Sequence, residues 1–231
     1  MNTTVEVFAD ITCPFTHVGL KRVIEHVSIL DHPVDVVVRA WPLEWVNGSA
    51  LDVAPVQVKA AALSEQLGVD DFSGLRPDRW PTTTLPALEL VAAAYDLDAA
   101  TGLAVSLALR VAVFEQGRDV SDPGVLADIA AEHGVTPHDE SIAVRADYED
   151  GLARGVSGSP HFWVGDTNFF CPALDLGHDA DNHLTARFDP DSLAQFFATI
   201  TPEPQPRITC DDPARPARRR AAPNDVTTVR T

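Results

Sequence analysis

One stretch of the sequence, Asp10 to Gly19, places a cysteine where thiol chemistry is favoured. The short apolar run Val5 to Ala9 before it predicts a strand, and apolar residues after it recur at helical spacing. Cys13 should therefore lie between a strand and a helix, with Pro14 in the first helical turn, where proline is well tolerated. The helix dipole and the free N–H groups of that turn favour the thiolate, which is the nucleophilic form. We infer that Cys13 is a reactive cysteine rather than a small packed residue.

The residues after Cys13 restrict the chemistry that this thiol can perform. A second cysteine three positions later would make a dithiol redox centre, but Thr16 stands there instead. A threonine cannot resolve a mixed disulfide, so the second thiol has to come from elsewhere. His17 follows Cys13 by one helical turn on the same face and could stabilise the thiolate when protonated. The alternative for His17 is an exposed helical residue without a role.

Composition excludes several classes of function. The chain has 231 residues and a net charge of −17, which argues against a nucleic-acid partner. Its N-terminus has no signal-peptide pattern, and no apolar run is long enough to cross a membrane. Three widely spaced cysteines do not make a disulfide framework. We therefore predict a cytoplasmic protein, in a compartment where disulfides are transient and catalytic.

The hydrophobic pattern divides the chain into four stretches, residues 1–50, 51–155, 156–200 and 201–231. The first predicts strand, helix and strand, and the second predicts helices throughout, including one periodic run from Leu85 to Gln116. The third predicts a hairpin followed by a helix. The last has six of the eighteen prolines and no periodicity, which indicates a disordered tail. The fold class is thus α/β with a large helical insertion.

The order of these elements and two motifs resemble the DsbA family of the thioredoxin superfamily, most closely its cytoplasmic FrnE-like branch. One motif is the segment from Asp10 to Phe15, and the other runs from Phe114 to Asp122 in the insertion. The resemblance covers about residues 3–200. It implies a thioredoxin-like fold with an all-helical insertion between the β-α-β and β-β-α halves.

The resemblance also implies roles for individual residues. Cys13 would be the nucleophile, and the Ser159–Pro160 bond would be a cis peptide that presents the Ser159 backbone to an extended thiol substrate. The other positions expected to contact the thiol are Pro14, Phe15 and His161. Thr16 departs from the dithiol pattern of the family and puts autonomous dithiol oxidation in doubt.

Three functions remain open at this point. The first is a thiol–disulfide oxidoreductase that works through one cysteine, with a low-molecular-weight thiol as co-substrate and small or protein disulfides as partners. The second is a thiol-dependent isomerase or transferase similar to 2-hydroxychromene-2-carboxylate isomerase or kappa-class glutathione transferase. The third is a non-catalytic thioredoxin-fold binding module. The oligomeric state is open, a homodimer included.

No tightly bound cofactor or metal is expected. The cluster of His178, Asp179, Asp181 and His183 has metal-binding residue types but no defined spacing, and a solvated loop explains it better.

Cys171 is the residue that could replace the missing second cysteine. It follows the return strand of the hairpin that begins at Pro160, so it should lie at the same edge of the sheet as Cys13, one strand further away. We place the two Cα atoms on the order of 10 Å apart, beyond the roughly 7 Å that a disulfide allows. A packed thiol is the simpler interpretation, and a resolving role would need movement of the loop.

The position of Cys13 leads to a labelling prediction. Limiting iodoacetamide at neutral pH should modify Cys13 before Cys210, because only Cys13 is expected at a helix N-terminus. Peptide mass spectrometry after short exposure reports the order. Preferential labelling of Cys210 would remove the main support for a reactive Cys13.

Overall fold

The computed structural model describes residues 3–137 and 142–200, so the expected tail, including Cys210, lies outside the described residues. The strands are β1 (Thr3–Ala9), β2 (Val34–Ala40), β3 (His161–Val164), β4 (Thr167–Phe170), β5 (Leu174–His178) and β6 (Leu184–Phe188). The helices are α1 (Pro14–Val27), α2 (Leu43–Asn47), α3 (Val53–Leu67), α4 (Leu85–Tyr95), α5 (Ala99–Phe114), α6 (Pro123–His133), α7 (Ile142–Arg154) and α8 (Pro190–Ile200).

The main sheet has four strands in the order β2-β1-β3-β4. β1 and β2 are parallel, with Val5 opposite Val36, and α1 connects them as predicted. β3 runs antiparallel to β1, with Val7 opposite Phe162, and β4 returns beside it. The ring of Phe162 packs edge-on against Phe196 of α8. The β-α-β and β-β-α halves of the expected frame are therefore both present.

Between β2 and β3, the described residues form helices without a strand, which confirms the predicted insertion. One boundary was wrong. The run from Leu85 to Gln116 was predicted as one helical stretch, but it forms α4 and α5 with a break between them. The Asp98 carboxylate accepts a hydrogen bond from the Thr101 N–H and caps the new helix. Apolar periodicity continues across the break, so the capping aspartate sets the boundary.

The sequence pattern also missed the two-stranded sheet of β5 and β6. Its contact with α3 explains why. The Gln66 side chain donates to the Leu184 carbonyl at 2.8 Å and accepts from the Ala186 N–H at 2.7 Å. The amide thus satisfies backbone groups of β6 as a neighbouring strand would. This pairing comes from tertiary contact, which a local hydrophobic pattern does not reveal.

The insertion also covers the outer edge of β2. The Tyr95 hydroxyl accepts from the Val38 N–H at 2.8 Å and donates to the Val36 carbonyl at 3.1 Å. The Asp147 carboxylate of α7 accepts from the Ala40 N–H at 2.8 Å and pairs with Arg39. These side chains satisfy edge groups that would otherwise be open to another strand.

α7 packs closely on Trp41, which follows β2. The indole is 2% exposed and lies edge-on to Phe8, and its ring centroid is 5.0 Å from that of Tyr148 of α7. Trp41 is part of a buried apolar cluster with Phe8, Val156 and Trp163. A Cβ on Gly151 would lie 2.6 Å from the indole, so only glycine fits between helix and ring.

This close approach predicts opposite effects for two identical substitutions. Gly151→Ala should destabilise the fold by about 1–3 kcal/mol, because the new methyl overlaps Trp41. Gly19→Ala, inside α1, meets only Pro160 at 4.0 Å and should be neutral or stabilising by up to about 1 kcal/mol. Urea unfolding of both variants provides the comparison. Equal effects of the two substitutions would contradict this view of the α7 contact.

Candidate active site

Cys13 is the N-cap residue of α1, and Pro14 is the first helical residue, as predicted. The thiol is 3% exposed and donates a hydrogen bond to the Ser159 carbonyl, with a sulfur–oxygen distance of 3.0 Å. The peptide bond between Ser159 and Pro160 is cis. Two segments separated by 146 residues in sequence therefore meet at the sulfur atom.

The Ser159 hydroxyl joins the same junction. It accepts the Asp10 N–H at 3.0 Å and lies 2.8 Å from the Thr16 hydroxyl, with which it shares a hydrogen bond. Thr16 is fully buried. Thr16, which stands where a second cysteine is missing, is therefore part of a hydroxyl network. This network holds the start of α1 against the cis peptide.

Asp10 connects this junction to the insertion. Its carboxylate accepts four hydrogen bonds, from the N–H and hydroxyl of Thr12, from the Leu43 N–H and from the Thr84 hydroxyl, at 2.6–3.0 Å. Asp10 is only 1% exposed. Four donors satisfy the hydrogen-bond acceptors of a carboxylate that is buried from water. The Thr84 contact brings the segment before α4 to the active-site junction, which the sequence pattern did not indicate.

Arg110 of α5 is a second buried charge near the site, and the sequence analysis did not identify it. Its side chain is fully buried and donates to the carbonyl and hydroxyl of Ser106, at 2.9 and 2.6 Å, and to the Asp10 carbonyl at 3.2 Å. Burial lowers the pKa of Arg110 to about 10, and the opposite charges of Asp10 and of a Cys13 thiolate limit the fall. The guanidinium thus stays charged at neutral pH. An arginine within the apolar run of α5 was the available signal.

His17 does not have the environment predicted for it. The ring is 1% exposed, stacks on Phe114 at 4.9 Å, and its Nε2–H lies 3.1 Å from both the Asp71 carbonyl and the Glu115 carboxylate. Burial, followed by the positive charges of Lys21 and Arg110, lowers the pKa of His17 to about 3. The imidazole is therefore neutral at pH 7, and the proposed stabilisation by a protonated His17 was wrong.

His161 is also occupied within its own hairpin. Its Nδ1 accepts from the Ser157 N–H at 3.2 Å, and its Nε2 lies 2.9 Å from the Asn168 amide oxygen. Both ring nitrogens are used, so we no longer assign a thiol-binding role to His161. Phe15 is half-buried, with the Lys59 ammonium 5.7 Å from its ring centroid.

Cys171 lies beside the cis peptide, at the sheet edge where the sequence placed it. Its N–H donates to the Pro160 carbonyl at 3.2 Å, and the residue is only 4% exposed. Burial, with a smaller contribution from the charge of a Cys13 thiolate, raises the pKa of the Cys171 thiol well above its usual range. This environment favours the packed thiol over an attacking thiolate.

Two clusters in the described residues have metal-ligating types. His17, Asp71 and Glu115 bring their ligand atoms within 4.8 Å of one another, but the Lys21 ammonium binds both carboxylates at 2.5 Å and already supplies the positive charge. The second cluster contains Asp179, Asp181 and His183 at the turn between β5 and β6, and all three are exposed.

The cysteine, the cis peptide and the four-stranded sheet define a thioredoxin-like thiol protein. The sequence matches the DSBA-like thioredoxin domain over residues 4–181, and the chain belongs to this family. Comparison with curated proteins gave no match. Within the part of the chain that the structure describes, no helix combines the length and apolar character needed to cross a bilayer.

Solved structures share the fold at low sequence identity. The cytosolic disulfide reductase DsbM from Pseudomonas aeruginosa, with glutathione, is 19% identical, with a TM-score of 0.57 over 85% of this chain and 98% of that one. A probable DsbA oxidoreductase from Streptomyces coelicolor is 20% identical, with a TM-score of 0.55 over 73% and 83%. A 2-hydroxychromene-2-carboxylate isomerase is 14% identical, with a TM-score of 0.55 over 72% and 88%.

The environment of His17 predicts a loss of stability in acid. In the unfolded chain His17 binds a proton near pH 6.5, whereas the folded protein holds it only near pH 3. Lowering the pH from 6.5 towards 3 should therefore reduce the free energy of unfolding more in the wild type than in His17→Gln. Urea titrations at pH 7 and pH 4 measure that difference.

The matched control is His183→Gln, since the His183 side chain is 77% exposed. It should lose stability in acid as the wild type does. If the difference between wild type and His17→Gln is the same at both pH values, His17 is not held neutral in the fold.

Proposed function

We propose that this protein is a monothiol thiol–disulfide oxidoreductase that uses a small thiol as co-substrate. The observation that carries the proposal is the Cys13 sulfur at the helix N-terminus, 3.0 Å from the Ser159 carbonyl, with Thr16 in place of a resolving cysteine. The helix terminus favours a thiolate, and the missing partner leaves completion of the cycle to an external thiol.

The cycle consists of two exchange steps. The Cys13 thiolate attacks one sulfur of a mixed disulfide, forms a new S–S bond, and releases the other half as a thiolate that takes a proton from water. A small-thiol thiolate then attacks the sulfur attached in the first step and restores the Cys13 thiolate. Overall, one small thiol and one mixed disulfide become one free thiol and one new disulfide, and the proton that the small thiol loses on ionisation balances the proton that the released thiolate takes up.

The Ser159 carbonyl supports binding as well as packing. In the resting thiol form it accepts the Cys13 S–H, and ionisation removes that donor. An unpaired carbonyl is then available to a backbone N–H of the substrate, which would extend along the cis peptide. Pro14 and Phe15 border the same point of the helix.

The burial of Cys13 bears on the substrate class. A residue that is 3% exposed gives a disulfide little room to approach, and a small disulfide needs less local opening than a folded protein does. We therefore favour small disulfides and glutathione-like thiols over protein disulfides. The similarity to a glutathione-bound cytosolic reductase is consistent with this choice and with a cytoplasmic location.

A thiol-dependent isomerase or transferase is the alternative. In that case the helix terminus and Ser159 would hold the thiolate of a bound cofactor, and Cys13 would take no part as nucleophile. Loss of thiol exchange in Cys13→Ser therefore separates the two functions.

The test measures glutathione-dependent reduction of hydroxyethyl disulfide. Wild type and Cys171→Ser should both turn over, because burial keeps the Cys171 thiol protonated, whereas Cys13→Ser should lose activity to the uncatalysed rate. Thr16→Cys restores the dithiol pattern and should add insulin reduction that the wild type lacks. If Cys13→Ser retains the wild-type rate, the proposed function is wrong.

A further inference from the structure

The one charged side chain of α5 is directed at the active-site junction. Arg110 is fully buried, yet it reaches the Asp10 carbonyl, three residues before Cys13. Its Nε has no hydrogen-bond partner among the described residues. A buried cation with an unsatisfied donor is costly, so its retention needs a compensating anion.

We propose that Arg110 supplies the positive charge that stabilises the Cys13 thiolate, so that a helix of the insertion sets the reactivity of the nucleophile. This inference rests on the proposed function in one respect, namely that Cys13 reacts as a thiolate. It makes Arg110 a positioning residue, which acts through Cys13 and does not touch the substrate.

Other titratable groups around Arg110 and Cys13 are neutral or already paired, so few of them compete with Arg110 as a charge that acts on the thiolate. Burial raises the pKa of Tyr95 to about 12 and lowers the pKa of His17 to about 3, so both are neutral at pH 7. Burial also keeps the Cys171 thiol protonated. The Lys21 ammonium is engaged by the carboxylates of Asp71 and Glu115.

The charged residues of this junction are Asp10, three residues before Cys13, and Arg110, which donates a hydrogen bond to the Asp10 carbonyl. The Asp10 carboxylate opposes a thiolate, and its four hydrogen bonds come from neutral donors. Arg110 favours the thiolate, and the charge of Cys13 in turn supports the charged state of Arg110. With a neutral Cys13 thiol, Arg110 and Asp10 form a pair of opposite charges. Thiolate formation therefore adds a second anion that Arg110 attracts.

A structural clamp on the Asp10 loop is the competing explanation. A clamp needs only hydrogen-bond donors, since the groups that Arg110 contacts directly are Ser106 and the Asp10 carbonyl, all neutral acceptors. The two explanations differ in whether the charge of Arg110 changes the ionisation of Cys13. Only the electrostatic role predicts a shift in a pH profile.

The experiment measures the rate of iodoacetamide modification of Cys13 against pH, with the Cys13 peptide quantified by mass spectrometry. Arg110→Met should raise the midpoint of this profile by about one pH unit or more, a roughly tenfold loss of rate below the midpoint. Arg110→Lys keeps the charge and should retain most of the wild-type profile. Asp10→Asn removes the opposing charge and should lower the midpoint.

Ser106→Ala is the matched control, because it removes a hydrogen bond of Arg110 without changing any charge. It should lower stability and leave the midpoint in place. A folded Arg110→Met protein with the wild-type midpoint would overturn the proposal. Absence of any pH-dependent Cys13 modification in the wild type would instead overturn the proposed function.

A measurement on the wild type keeps the inference testable if Arg110→Met does not fold. The Arg110 Nε–H should give a distinct arginine side-chain signal in ¹⁵N NMR, because the group is buried and unpaired. Its chemical shift should titrate with the midpoint of Cys13 alkylation, and the titration should vanish in Cys13→Ser. An Arg110 chemical shift that does not follow the ionisation of Cys13 would contradict the proposal.

Discussion

The contact between Ser159 and the first turn of α1 is the constraint on which the site depends. One residue binds the Cys13 sulfur through its carbonyl and the Asp10 N–H through its hydroxyl. These bonds join the two halves of the thioredoxin-like frame across almost 150 residues of insertion and sheet. The Thr16 hydroxyl completes the junction, so the residue that removes dithiol chemistry also takes part in packing.

The helical insertion supplies polar and charged side chains to the junction beside Cys13. Thr84, immediately before α4, binds the Asp10 carboxylate, and Arg110 of α5 binds the Asp10 carbonyl. Buried charges of opposite sign are costly to separate, because each would leave the other without compensation. The frame and the insertion are therefore connected at the junction that holds Cys13, and the β2 edge contacts of Tyr95 and Asp147 strengthen the same connection.

What the sequence predicted well was encoded locally. A strand, a Cys-Pro step and a helix in succession placed Cys13 at α1, and the periodic helices between β2 and β3 revealed the insertion. The hairpin pattern also placed Cys171 at the edge beside Pro160. Each of these depends on residues that are neighbours in the chain.

What the sequence could not show depended on distant partners. Helical spacing put His17 one turn after Cys13, but Phe114, far away in sequence, stacks on the ring, and burial lowers the pKa of His17 so that the ring is neutral. Gln66 of α3 supports the β5–β6 pair in the same non-local way. Arg110 lies 100 residues from the Asp10 carbonyl it binds, so its role depends on a fold that periodicity alone does not specify.

The central claim is that Cys13 exchanges with small disulfides without an internal partner. Mass spectrometry of the full-length protein equilibrated with oxidised glutathione tests it most directly. The account predicts one glutathione adduct, located on Cys13 and removed by reduced glutathione, with Cys171 unmodified. A Cys13–Cys171 disulfide, or a Cys13 that stays free under these conditions, would contradict the claim.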